Sequence, residues 1–154
     1  MSADESPAPE VVRDIYKLAV EMADRVSARR SAANTFYLTL QTAGVGLLGL
    51  VSASSAEPDR WPLAAICCAG IATAVAWFLQ LRSYRDLNRA KFSVICALEV
   101  QLPVSVFSDE WASLKRDPVP SWRPRYAELG TVERIVPWVF VALNLVLGMY
   151  FVRS

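Results

Sequence analysis

Hydrophobic and charged positions alternate along this chain in long blocks. Residues 34–54, 61–81 and 135–152 contain no charged side chain. A helix of about 20 apolar residues is long enough to cross the hydrocarbon core of a bilayer. Residues 10–33 and 82–102 instead place apolar side chains at helical spacing among charged ones. The pattern predicts an all-α integral membrane protein whose three transmembrane helices are the three uncharged blocks.

No helix breaker separates either amphipathic segment from its neighbouring span, so each pair is predicted to form one long helix. The first two spans are joined by the short segment SSAEPDR, which makes them antiparallel neighbours. The amphipathic segments 10–33 and 82–102 then lie side by side, and we expect each to cover the other's apolar face in a cytoplasmic antiparallel helical stalk. Their apolar positions are Val12, Ile15, Leu18, Ala19, Met22 and Val26 in the first, and Tyr84, Leu87, Phe92, Ile95, Leu98 and Leu102 in the second.

The remaining segments differ in composition from these helices. Residues 1–9 are polar and proline-containing and are predicted to be a disordered tail. Residues 103–131 are predicted to form a cytoplasmic loop with a short helix at 108–115, for which Ser108 is the expected N-cap. The loop is too apolar for a free linker, so we expect its aromatic residues to pack on the stalk and to be candidate interaction residues: Trp111, Trp122 and Tyr126.

Each of the first two spans carries a row of small residues at helical spacing. Such rows let helix backbones approach closely in lipid, and we expect the two rows to pack against each other. A homo-oligomer is also expected, since three helices bury little surface. The predicted helix-packing residues are Thr42, Gly46 and Gly49 in the first span, and Ala65, Ala69, Ala72 and Ala76 in the second.

Polar and aromatic residues within the spans have their own expected places. Gln41 is expected to face protein, and Asn144 to find a partner on a neighbouring helix. Trp61 and Trp77 lie near the two ends of the second span, which is typical of residues at a membrane interface.

The distribution of basic residues predicts the orientation. Only Arg60 and Arg153 fall on the side of the chain that carries the SSAEPDR turn, and the other flanking basic residues lie opposite. By the positive-inside rule the N-terminus is cytoplasmic and the C-terminus outside, in the cell inner membrane. A cluster next to the second span either only sets this topology or binds anionic headgroups: Arg82, Arg85, Arg89 and Lys91.

Little in the sequence points to catalysis or to a cofactor. The chain has no histidine, its net charge of +1 does not suggest nucleic-acid binding, and its three cysteines are predicted to be packing residues. No metal site or cofactor is expected. Glu99, at the end of the amphipathic rod, is interpreted as a solvated residue or the partner of a basic side chain more readily than as a catalytic carboxylate.

Several short stretches carry a resemblance. The run YRDLNRAKFSVICALE, from Tyr84 to Glu99, is followed by Leu102 and Pro103, then by the motifs DEW and ERIVP. Together they resemble a family of small bacterial integral membrane proteins, over about residues 16–151. The resemblance implies a bacterial inner-membrane protein with a cytoplasmic module, and it transfers no catalytic residue.

Two functional hypotheses follow. The first is a non-enzymatic, membrane-anchored interaction or signalling subunit whose stalk engages a cytoplasmic protein partner. The alternative is an oligomeric pore or membrane-perturbing effector, suggested by the polar residues Gln41, Thr42 and Asn144 within the spans. A membrane-bound enzyme is the least favoured of the three.

Overall fold

The structure of the protein is a computed structural model that describes residues 9–54, 60–116 and 129–153, with side chains at 10–54, 60–113 and 133–153. These residues form four helices and no strand: α1 (Pro9–Ser54), α2 (Arg60–Glu99), α3 (Val106–Arg116) and α4 (Leu129–Arg153). Helices α1, α2 and α4 are long and apolar enough to cross a membrane. The predicted all-α fold with three candidate spans is confirmed.

The positions of the prolines explain the helix bounds. Pro9 opens α1 and Pro62 lies in the first turn of α2, where the missing N–H has no partner to lose. Helix α2 ends at Glu99, three residues before the predicted end of the rod. Backbone bonds from Gln101 N to Leu98 O and from Leu102 N to Glu99 O, both 3.0 Å, then form a turn.

The chain divides into two compact units, each of which contains part of α1 and part of α2. We call Met1–Arg29 with Tyr84–Ala127 the charged unit, and Arg30–Ser83 with Glu128–Ser154 the membrane unit. The names follow composition, because the charged side chains of α1 and α2 are concentrated in the first and the uncharged blocks lie in the second.

In the charged unit, the apolar positions of α1 divide between two faces. Val12, Ala23 and Val26 are buried, and so is Ile95 on α2. Three others that the sequence places on the same apolar stripe are exposed instead: Ile15 (47%), Leu18 (56%) and Met22 (45%). The expectation that α2 covers the whole stripe is therefore wrong. The apolar arc is wider than one neighbouring helix can bury.

The apolar core of the membrane unit is small. Leu48, Leu63 and Cys67 are buried, with Val51, Ile66, Leu147 and Phe151 packed against them. Large apolar side chains such as Leu50 (71% exposed) point outward. Since lipid tails are as apolar as leucine, such outward side chains cost nothing in a bilayer, and apolar burial alone does not hold the helices together there.

Buried amides join the three helices of the membrane unit. Gln41 on α1 donates from Nε2 to the Gly70 carbonyl on α2, at 2.8 Å. Asn144 on α4 donates from Nδ2 to Gln41 Oε1 at 3.4 Å, and to the Phe140 carbonyl of its own helix at 2.8 Å. Both amides are buried. The expectations that Gln41 faces protein and that Asn144 finds a partner on another helix are confirmed.

Aromatic and charged side chains also form contacts between the helices of the membrane unit. Trp77 donates from Nε1 to Asn34 Oδ1 at 2.8 Å and stacks on Tyr37, with ring centroids 5.8 Å apart. Trp77 is only 3% exposed, so it packs inside the chain, and its position at the depth of the membrane interface stays a prediction. Arg30 on α1 and Glu133 on α4 form a half-buried ion pair at 3.7 Å.

Gly70 on α2 lies in close contact with the Asn144 side chain of α4. A Cβ atom built on Gly70 would lie 2.4 Å from Asn144 Oδ1, whereas one built on Gly44 of α1 meets nothing within 4 Å. We expect Gly70→Ala to displace Asn144 and cost about 1–3 kcal/mol of stability, as overpacking does. Gly44→Ala should be neutral or stabilising, because alanine favours the helix.

Thermal unfolding of both variants in the same detergent checks this expectation. The matched substitution at Gly44 removes the general effect of glycine in a helix from the comparison. Equal midpoints for the two variants would mean that Asn144 has room to move and that the close approach at Gly70 is not required.

Candidate functional site

A buried carboxylate at the C-terminal end of α2 organises the charged unit. Glu99 is 1% exposed. Its Oε1 accepts from the Tyr16 hydroxyl on α1 at 3.0 Å and from the backbone N–H of Phe107 at 2.8 Å. Its Oε2 accepts from Ser108, through the backbone N–H at 3.1 Å and the hydroxyl at 2.8 Å. One side chain thus joins α1, α2 and α3.

The carboxylate acts as an N-terminal cap for α3. Phe107 and Ser108 lie in its first turn, where backbone N–H groups have no partner within the helix. The bond from Asp109 N to Ser105 O (2.9 Å) lies at the start of the helix. Glu99 satisfies two of these groups from outside. The prediction of a helix beginning at Ser108 is wrong: α3 begins at Val106, and Ser108 is inside it.

The environment of Glu99 favours its ionised form. Burial acts to raise the pKa of the carboxyl group, but the hydrogen bonds from Phe107, Ser108 and Tyr16 outweigh it and leave the pKa below the ordinary value of 4.5. The positive end of the α3 dipole acts in the same direction. Tyr16 responds oppositely, because burial and the neighbouring Glu99 charge raise its pKa above 10.0.

This arrangement suits anchoring better than proton transfer. All four hydrogen bonds go to oxygens of a carboxylate that solvent does not reach, and a lowered pKa makes a poor general acid or base at neutral pH. Phe92 of α2 adds an edge-to-face contact with Phe107 at 5.4 Å. Among residues with described side chains, no group of three acidic, cysteine or histidine residues is placed to hold a metal ion.

Both rows of small residues in the spans are exposed in the single chain. A Cβ on Gly46 or Gly49 would meet nothing within 4 Å, and Thr42 bonds the Leu38 carbonyl of its own helix. The two rows therefore do not pack against each other within the chain, contrary to expectation. Their role in packing another copy stays a prediction. The residues concerned are Thr42, Gly46, Gly49, Ala65, Ala69, Ala72 and Ala76.

The other predicted residues are only partly placed. Arg82 and Arg89 are exposed and Arg85 and Lys91 half-exposed on α2, and headgroup binding by these four stays a prediction. Trp111 lies on α3 and is 52% exposed. Trp122 and Tyr126 lie outside the described residues.

Comparison with known protein families gives a match over most of the chain. Residues 13–153 match the family described as Octameric membrane protein family (8xMP). The chain belongs to this family. No curated protein and no solved structure matches it.

Membership of the octameric membrane protein family agrees with the three candidate spans and confirms the resemblance to small integral membrane proteins. The family match names no reaction and no ligand. The Glu99 cluster and the exposed helix faces are therefore the structural features that bear on function.

Sequence reasoning missed the role of Glu99. The available signal was a carboxylate at the end of an apolar helix face, followed by a serine-containing helix start eight or nine residues later. The Tyr16 hydroxyl, 83 residues away in the sequence, gives no local signal.

Replacing the carboxylate by its amide tests the anchor. In Glu99→Gln one oxygen becomes a donor that faces the donors of Ser108 or Phe107, and we expect a loss of about 1–3 kcal/mol for the unpaired groups. Amide hydrogen exchange at Phe107 and Ser108 should speed up. Glu110→Gln on the exposed side of α3 is the matched control, and equal exchange in both variants would show that Glu99 does not anchor the helix.

The lowered pKa of Glu99 makes the anchor sensitive to acid. A carboxyl whose folded-state pKa is lowered stabilises the fold above its ordinary pKa of 4.5, and this contribution is lost as the pH falls through the folded-state value. We expect the protection of the Phe107 and Ser108 amides to decrease below pH 4.5 in the natural protein and to be low and nearly independent of pH in Glu99→Gln. Parallel curves for the two proteins would contradict this assignment.

Proposed function

We propose that this chain is a non-enzymatic subunit of a homo-octamer in the bacterial inner membrane, and that its charged unit presents α3 to a cytoplasmic protein partner. The observation that carries the proposal is the Glu99 anchor. A buried carboxylate that directs three of its four hydrogen bonds to the first turn of a short helix is well suited to presenting a surface. The family description supports the octamer.

The charge distribution supports the orientation. The charged unit, which includes the N-terminus, contains most of the basic residues that flank the spans. An excess of basic residues is typical of cytoplasmic segments. In this arrangement the N-terminus and the charged unit are cytoplasmic and the C-terminus is outside. Reactivity of single introduced cysteines with an impermeant reagent, one before α1 and one at Ser154, tests the assignment.

The exposed stretch of α3 from Asp109 to Ser113 is the proposed contact surface. Asp109, Glu110, Trp111, Ala112 and Ser113 are all exposed there, whereas Phe107 and Ser108 are half-buried against Glu99 and its neighbours. A tryptophan beside two carboxylates suits a partner with an apolar recess and nearby basic groups, since tryptophan is enriched among residues that dominate binding energy. Support for a non-enzymatic role is the sequestered, ionised state of Glu99.

Mass measurement and site-directed cross-linking test the two parts of this proposal separately. The purified protein in mild detergent should have the mass of eight chains. A photoreactive residue at Ser113 should cross-link a protein that Trp111→Ala together with Glu110→Lys no longer captures, while Asp24→Lys on the exposed side of α1 makes the same charge change and leaves capture intact. An unchanged cross-link in the α3 variant would rule out this surface.

The pore alternative has less support from the structure. Two of the three residues that suggested it, Gln41 and Asn144, are buried and bonded to each other inside the chain. Liposomes that contain the octamer at high density are therefore expected to hold an ion gradient. Rapid ion flux that depends on the protein would favour the pore over the interaction subunit.

A further inference from the structure

Helix α1 has a row of exposed apolar side chains in the charged unit, which we call the α1 seam. Val11, Ile15, Leu18 and Met22 follow one another at intervals of four, three and four residues, and each is 45–56% exposed. This is the spacing of the core positions of a coiled coil. The segment also contains many charged side chains, so it does not lie in lipid, and the exposed seam has a hydrophobic cost in water.

Helix α2 has a second row of exposed apolar side chains in the same unit, which we call the α2 seam. Leu87, Ala90, Val94 and Ala97 follow at intervals of three, four and three residues, and all are exposed. They lie away from Ile95 and Glu99, which are buried. The seam on α1 has only large side chains, whereas the seam on α2 alternates large with small. Large side chains of the first therefore fit the spaces beside the alanines of the second.

The two seams are different surfaces, which is what a ring of identical chains requires. Copies oriented alike in one membrane are related by rotation about the membrane normal. A ring of more than two copies closes only if one surface binds a different surface on the next copy. A surface that binds the same surface on another copy produces a closed dimer and no larger ring. The α1 and α2 seams meet the requirement for two unlike surfaces.

We propose that the α1 seam of each copy packs, through Leu18 and Met22, against Val94 and Ala97 of the α2 seam of the next copy, and that this contact repeats around the octamer. The inference rests on the proposed octameric state and names the surfaces that build it. Helices α1 and α2 are antiparallel within the chain, since Asn34 contacts Trp77 whereas Gln41 contacts Gly70. In a ring whose copies share one orientation, the two helices at the contact between copies are antiparallel too.

The contact inside the charged unit fixes which residues are level with each other. Tyr16 bonds Glu99, so two residues further along α1 and two residues back along α2 bring Leu18 level with Ala97. We take the axis of the ring to run along these two helices, so rotation about it does not change height. Leu18 of one copy therefore faces Ala97 of its neighbour, one large and one small side chain.

Disulfide cross-linking in vesicles tests this pairing. With Cys67, Cys68 and Cys96 replaced by alanine, Leu18→Cys with Ala97→Cys should give a ladder of covalent species extending to eight chains under mild oxidation. Leu18→Cys with Val104→Cys is the control, because Val104 is exposed (61%) and lies off both seams; it should give no ladder. Monomer alone, or dimer from Leu18→Cys by itself, would overturn the proposed pairing.

A charge-pair exchange keeps the test independent of cysteine removal. Leu18→Lys and Ala97→Glu each place one unpaired charge in the contact, and each alone should lose the octamer peak on size-exclusion chromatography with light scattering. The double variant restores a pair of opposite charges and should recover the octamer. Single variants that remain octameric would overturn the inference.

The mass of the natural protein separates this failure from that of the proposed function. A monomer in every mild detergent and in nanodiscs would refute the octamer and, with it, the seams. An octamer that gives no ladder and tolerates Leu18→Lys would refute the seams and leave the octamer standing.

Discussion

Helices α1 and α2 each change from charged to uncharged composition without a break, and this change determines what can hold each part together. In the charged unit, the hydrophobic effect favours the observed burial of Val12, Ala23 and Ile95. In the membrane unit the same driving force is absent between helices, because lipid solvates apolar side chains as well as protein does. There the specific contacts include the buried amides, the bond from Trp77 to Asn34, and the close contact of Gly70 with the Asn144 side chain.

The Glu99 anchor extends this difference to α3. A helix of 11 residues is marginal by itself in water, and it gains most of its stability from what it packs against. The first-turn N–H groups of Phe107 and Ser108 need acceptors, and the buried carboxylate of Glu99 needs donors. Each requirement satisfies the other, and this explains how an ionised side chain is buried with no basic partner bonded to it among the described residues.

Sequence reasoning succeeded where the governing property is local. The three spans follow from uncharged length, and the need of Gln41 and Asn144 for partners follows from the cost of an unpaired amide in lipid. It failed where the answer depends on which face points inward. The spacing of the small-residue rows predicted that they form the contact between the first two spans. In the structure Leu48, Leu63 and Trp77 occupy that contact, and the rows face outward. Spacing reveals that a face exists and does not reveal what covers it.

A row of small residues in lipid and an apolar seam in water both favour another helix, but for different physical reasons. Gly46 and Gly49 have space where a Cβ would lie, so they permit close approach without a hydrophobic gain from it. Leu18 and Met22 lose contact with water when they are covered, so their burial would supply free energy for assembly. The shape of the seam also selects a partner, since alternating large and small positions accept one register and not its neighbours. In the proposed octamer, the water-exposed seams therefore select which copies meet, and close packing of the spans through the small-residue rows stays a prediction.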